Sequence, residues 1–183
     1  MGEDLRTSFH LSRRHLVTAA LGAAALPAAS RALARALDTP ATEQDVAFMR
    51  LALEEAAKGD FPFGAVITRN GKVLAKGRNL SKQQRDPTAH GEMVAIRRFL
   101  AEYGPEELKG TTLYTSGESC PMCMGAIVWC GISRVVYGAS IAQLATKIGQ
   151  IMITDQEIAD KSPFAEISLT GGVLAEESLA LFK

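Results

Sequence analysis

Cysteine is scarce in this sequence: three in 183 residues, Cys120, Cys123 and Cys130. So few, packed into one short stretch, exclude the disulfide framework of a small secreted scaffold. Histidine is equally scarce, and two of the three, His10 and His15, lie near the N-terminus, leaving His90 alone in the rest. Net charge is absent, with 20 basic and 20 acidic residues. A long apolar run is also missing. The stretch from Leu16 to Ala29 has 14 residues and is broken by Gly22 and Pro27, too short for an ordinary membrane span. No internal repeat or low-complexity tract follows it. An apolar fraction of 47% and a charged fraction of 22% fit one ordinary globular domain with its own core.

The N-terminus has its own grammar. Arg13 and Arg14 precede an Ala- and Leu-rich stretch, and Ala32 and Ala34 then form an A-x-A pattern. This is the anatomy of a secretory signal, and the paired arginines point to the twin-arginine type. Residues 1–34 are therefore expected to direct export to a bacterial periplasm, with cleavage near Ala34, and 35–42 to act as a linker. Without the leader, 16 basic and 18 acidic residues remain. A slightly acidic domain has no general attraction for nucleic acid.

Residues 43–183 read as an alternation of helices and strands. Thr42 and Asp45 make a capping box before DVAFMRLALEEAAK, with Gly59 as a stop. FPFGAVITRNGKVLAKGRN reads as a hairpin turning at Asn70-Gly71. Thr88 is a candidate N-cap for AHGEMVAIRRFLAEY, which Gly104-Pro105 stops. TTLYTS is a strand, CPMCMGAIVWC a helix with Pro121 in its first turn, and SRVVYGA a strand. IMITD at 151–155 is expected as a fifth strand and GGVLAEESLALF as a closing helix. The pattern predicts an α/β domain of three layers, α/β/α, with a mixed sheet of about five strands.

Within that pattern, His90 and Glu92 open one helix, and Cys120 and Cys123 open the next. The three-residue spacing puts both sulfurs on one face of a first helical turn, where free N–H groups favour thiolate. A C-x-x-C can be a redox dithiol, half of a structural zinc site, or two ligands of a catalytic metal. A redox pair leaves His90 and Glu92 unexplained. A structural site needs a fourth ligand, and Cys130, about 10 Å along the helix from Cys123, is out of reach. One imidazole and two thiolates suit one Zn²⁺ per chain with a fourth position open to water. Glu92 beside it is placed to carry protons.

H-x-E followed by P-C-x-x-C is the signature of zinc nucleobase deaminases. The chain resembles the cytidine/deoxycytidylate deaminase superfamily over residues 43–182. PFGAV at 62–66, DPTAHGEM, TTLYTSGESCPMCMGAI and ISRVVYGA resemble its branch of guanine, cytosine and tRNA adenosine deaminases. The resemblance implies His90, Cys120 and Cys123 as zinc ligands and Glu92 as the catalytic proton carrier. It implies base contacts from Asn79 and from Ala65 within PFGAV, and a homodimer or higher oligomer with the site near a subunit interface. Two residues depart from the pattern. Gly91 replaces the commoner alanine, letting backbone approach the base, and Ser119 replaces the proline before the first cysteine, loosening that loop. Met122, Met124 and Trp129 are candidates for either the pocket or the core, and Asp155 and Glu166 for base contacts. Export and charge favour a small nucleobase or nucleoside over nucleic acid, a guanine-like purine first and cytosine second. A tRNA adenosine deaminase is the alternative. From other classes, a thiol–disulfide oxidoreductase or a non-catalytic zinc-stabilised binding module remains.

Overall fold

The computed structural model describes residues 37–164 and 166–183; the expected export signal and its cleavage site lie outside them. Strands Leu37–Asp38 (β1), Gly64–Arg69 (β2), Lys72–Arg78 (β3), Thr112–Gly117 (β4), Arg134–Ala139 (β5) and Ser168–Thr170 (β6) form one sheet in the order β1-β6-β5-β4-β2-β3. β2 runs antiparallel to β3 and β4, while β4, β5, β6 and β1 are mutually parallel. The helices are Glu43–Ala56 (α1), Gly91–Tyr103 (α2), Pro121–Cys130 (α3), Ile141–Leu144 (α4), Asp155–Lys161 (α5) and Ala175–Leu179 (α6).

Successive side chains of a strand point to opposite faces, and here both faces are covered. Ala65, Ile67, Leu113 and Val135 pack with Phe99 of α2, Met124 and Ile127 of α3, and Ala159 of α5. Their strand neighbours Val66, Tyr114 and Val136 pack with Met49, Ala52 and Leu53 of α1. The result is the expected α/β/α layering with a mixed sheet.

Local chemistry explains most boundaries. The Thr42 hydroxyl accepts the Asp45 N–H while the Asp45 carboxylate accepts the Thr42 N–H, closing the capping box of α1. Asn70 and Gly71 have φ of 51° and 74°, the left-handed pair that a type I′ hairpin requires. Pro121 opens α3 and Gly131 ends it at φ 71°.

Four expectations need correction. IMITD is not a strand: 151–154 is irregular, and Thr154 with Glu157 forms a capping box that starts α5 at Asp155. The remaining strand is Ser168–Thr170 instead. Leu37 and Asp38, read as linker, pair with β6 as a short sixth strand. Thr88 does not cap α2. Its N–H and hydroxyl go to Asp86 Oδ1, and His90 is the N-cap residue. The closing helix spans only 175–179, because Leu174 turns through a left-handed φ of 56°.

Candidate metal centre and pocket

His90 stands at the N-cap of α2, Cys120 at the N-cap of α3, and Cys123 one turn into α3. β3 and β4 both run antiparallel to β2, so the chain leaves both strands at the same end of the sheet, towards the two helix starts. His90 Nδ1 lies 3.6 Å from Cys120 Sγ and 3.6 Å from Cys123 Sγ. The three ligand atoms lie within 4.8 Å of one another. A tetrahedral zinc with Zn–S of about 2.3 Å and Zn–N of about 2.0 Å separates nitrogen from sulfur by about 3.6 Å. The donor set therefore suits one Zn²⁺ in both identity and spacing.

The electrostatics set the two thiols apart. The Cys123 thiol and His90 outweigh burial and hold the Cys120 thiol at about 4. The hydrogen bond to Cys120, then burial, pushes the Cys123 thiol up. Hydrogen bonding to Cys120 raises His90 despite its burial. Glu92, two residues after His90, is buried in the first turn of α2. Burial, then the Cys120 sulfur, raises its carboxyl above the usual range, so it holds a proton more readily than in water.

His90, Glu92, Cys120 and Asn79 open into one pocket of ≈ 390 Å³, within the span of about 300–1,000 Å³ for small-molecule sites. Phe61, Phe63, Pro87 and Met122 add apolar walls, and Ile148, Gly149, Gln150 and Ile151 form a further wall between α4 and α5. Asn79 is buried at the end of β3, and its Oδ1 accepts the Ser81 N–H at 3.1 Å and the Ser81 hydroxyl at 2.8 Å. A backbone N–H can only donate, so it fixes the amide oxygen on Ser81 and leaves the Asn79 NH₂ as a donor for the pocket.

Two expected contacts lie elsewhere. Ala65 is a wholly buried core residue on the α2–α3 face of β2, and Phe63, two residues earlier, lines the pocket. Gly91 serves packing: a Cβ there would sit 2.9 Å from the Phe63 carbonyl oxygen. Met122 reaches the pocket and Met124 the core, while Trp129 is 77% exposed and packs at a tilt against Phe164. Cys130 packs at the edge of the core. Asp155 is buried behind the wall and Glu166 lines a different cavity. Ser119 is buried, with its N–H directed at Asp155 Oδ2. Glu118 and residues 148–151 were not singled out from the sequence. Glu118 adjoins the motif, whereas 148–151 carries no pattern that marks it.

A three-layer α/β/α sheet with a His/Cys/Cys group at two helix starts defines the deaminase-like class of zinc proteins. The family model for the cytidine and deoxycytidylate deaminase zinc-binding region matches residues 42–139, and the chain belongs to that family. It is 39% identical to the tRNA-specific adenosine deaminase of Haemophilus influenzae, across 74% of this chain and 79% of that one. With the guanine deaminase of Bacillus subtilis it shares 47% identity over 43% of this chain and 50% of the relative. The B. subtilis tRNA-specific adenosine deaminase is 40% identical over 52% of this chain and 62% of its own length. The chain thus spans under two thirds of either B. subtilis relative. Among solved structures, one from a study of tRNA:A34 deaminases superposes with a TM-score of 0.63 at 31% identity, covering 74% of this chain and 98% of that one. The B. subtilis guanine deaminase gives 0.52 at 40% identity, over 55% and 67%.

Proposed function

We propose that this protein is a zinc-dependent hydrolytic deaminase that replaces an amino group on a nucleobase ring with oxygen from water, releasing ammonia. The observation carrying this reading is the meeting, in one pocket, of the His90/Cys120/Cys123 group with buried Glu92 and the free amide of Asn79. Zinc bound there supplies the Lewis acidity that makes water nucleophilic near neutral pH. Glu92 takes a proton from the attacking water and passes it to the departing nitrogen. A C–O bond forms and a C–N bond breaks. One water proton leaves with ammonia and the other stays on the product ring. The Asn79 NH₂ donates to a ring acceptor, and Phe61, Phe63 and Met122 flank the ring.

For the substrate, the relatives support adenosine in tRNA ahead of the free guanine-like purine expected from the sequence, since tRNA enzymes match over the longer stretches. The free base is the second reading, favoured by one observation: among the described residues no Lys or Arg lines the pocket, whereas an RNA-binding site draws on cations to meet phosphate. The test is ammonia release from zinc-loaded protein, offering guanine, adenine, cytosine, their nucleosides and an adenosine-bearing anticodon stem-loop separately, with Glu92→Gln as the blank. Release from the stem-loop alone supports the first reading, and release from a free base the second. No release from any substrate, with one zinc bound per chain, would sink the deaminase reading for nucleobases.

A further inference from the structure

The pocket wall is held to the metal loop by a reciprocal clasp. Glu118 Oε2 accepts the N–H of Ile141 at 2.7 Å, and Oε1 accepts the N–H of Asp155 at 3.0 Å. One carboxylate thus grips both ends of residues 141–155, whose middle, Ile148 to Ile151, lines the pocket. Asp155 answers with Oδ2 toward the N–H of Ser119 at 3.4 Å. Ser119 immediately precedes Cys120 and is fully buried, as is Asp155.

In the H-x-E…P-C-x-x-C signature, the residue before the first cysteine is proline, where this chain has Ser119. A proline has no N–H to satisfy and has a fixed φ, whereas serine brings a buried N–H that must find a partner. Asp155 is the partner this chain supplies. Its second carboxylate oxygen is buried without a hydrogen bond, a costly arrangement that packing alone gives no reason to keep.

We propose that Asp155 is a positioning residue. Through the Ser119 N–H it locks the pocket wall to the loop carrying Cys120, and so replaces the rigidity of the absent proline. It touches neither substrate nor metal, and its effect on turnover rests on the deaminase reading. Glu92 and Cys123 sit in α2 and α3, and His90 and Cys120 at their N-caps, all outside residues 141–155, so loosening the wall weakens substrate binding and spares the chemical step.

The test is hydrogen exchange of amides 148–154 in zinc-loaded protein, compared across Asp155→Ala, Asp155→Asn, Ser119→Pro and the Ser119→Pro/Asp155→Ala double variant. Asp155→Ala is expected to speed exchange about tenfold, the loss of one buried hydrogen bond. Asp155→Asn, which keeps an acceptor oxygen, stays near wild type. In the Ser119→Pro background Asp155→Ala adds nothing. Unchanged exchange in Asp155→Ala, or the same acceleration in both backgrounds, overturns the proposal. If Asp155→Ala alone does not fold, a folded double variant supports the clasp and an unfolded one overturns it. With an active substrate, KM rises about tenfold and kcat stays within about twofold; an equal fall in kcat overturns the positioning role. Should wild-type protein deaminate nothing, the deaminase reading fails while the exchange result still decides the clasp.

Discussion

At the scale of single residues, the proposed reaction divides the work between Glu92 and the three ligands: His90, Cys120 and Cys123 would hold the metal, and Glu92 would move the protons. Glu92→Gln keeps the shape of the side chain and the ligand set, so one zinc per chain should remain, measured by metal analysis. Turnover should fall by about 10²–10⁴-fold, the usual worth of general acid–base catalysis. Normal turnover in that variant would remove Glu92 from the mechanism. Asn79→Ala deletes the pocket's amide donor and should raise KM about tenfold with zinc intact, because one hydrogen bond to a buried base is lost. The spacing within each pair was legible in the sequence because it is local, while the meeting of the two pairs beside Asn79 was expected only from the family resemblance. Two ligands share a helical turn, and His90 and Glu92 are two apart. Ala65 and Gly91 were misplaced because the pleat of β2 and the packing of α2 against Phe63 decide where they point. No short-range pattern encodes either.

At the scale of elements, the start of α1 is fastened to the sheet by one buried carboxylate. Asp45 accepts two bonds from Arg134 of β5, at 2.7 and 3.0 Å, and one from the Tyr114 hydroxyl of β4 at 2.9 Å. Burial alone would raise its pKa, but Arg134, Thr42 and Tyr114 outweigh it and hold the group at about 2 against an ordinary 3.8. The folded pKa lies below the unfolded one, so the stabilisation is present above pH 4 and is lost as the pH falls towards 2. The shift corresponds to about 2 kcal/mol. Melts between pH 5 and pH 2 should show that loss in wild type. Asp45→Asn should be less stable at pH 7 and flatter across the same range; equal slopes would exclude Asp45 as the titrating group. The sequence displayed half of this latch, since Thr42 and Asp45 are neighbours on the chain, but Tyr114 and Arg134 are joined to it only by the fold. The same limit produced the false strand at 151–155: a short β-branched run looks like a strand until Thr154 caps a helix and leaves Ile151 to Ile153 exposed outside the sheet.

At the scale of the whole molecule, α3 is the element that points outward as well as inward. Its ten residues PMCMGAIVWC carry no charge, and a helix apolar all round is ordinarily covered on every side. Met124 and Ile127 face the core, yet Trp129 on the opposite side is 77% exposed, a position that the expected homodimer would bury. Sedimentation equilibrium should find a dimer, and Trp129→Glu should shift it to monomer; a monomeric wild type would remove that expectation. Location within the cell bears on the substrate. A twin-arginine route carries folded proteins, so on the expected export, zinc held by Cys120 and Cys123 would enter the periplasm in place and would keep the thiols from closing as a disulfide. That compartment contains no tRNA pool, so export and the tRNA reading exclude each other. Fractionation of cells expressing the full chain with a C-terminal tag therefore tests both at once. Cleaved protein in the periplasm, lost to the cytoplasm when Arg13 and Arg14 are both changed to Lys, would leave a free base or nucleoside as the substrate. Uncleaved protein held wholly in the cytoplasm would end the export proposal and leave adenosine in tRNA as the stronger reading.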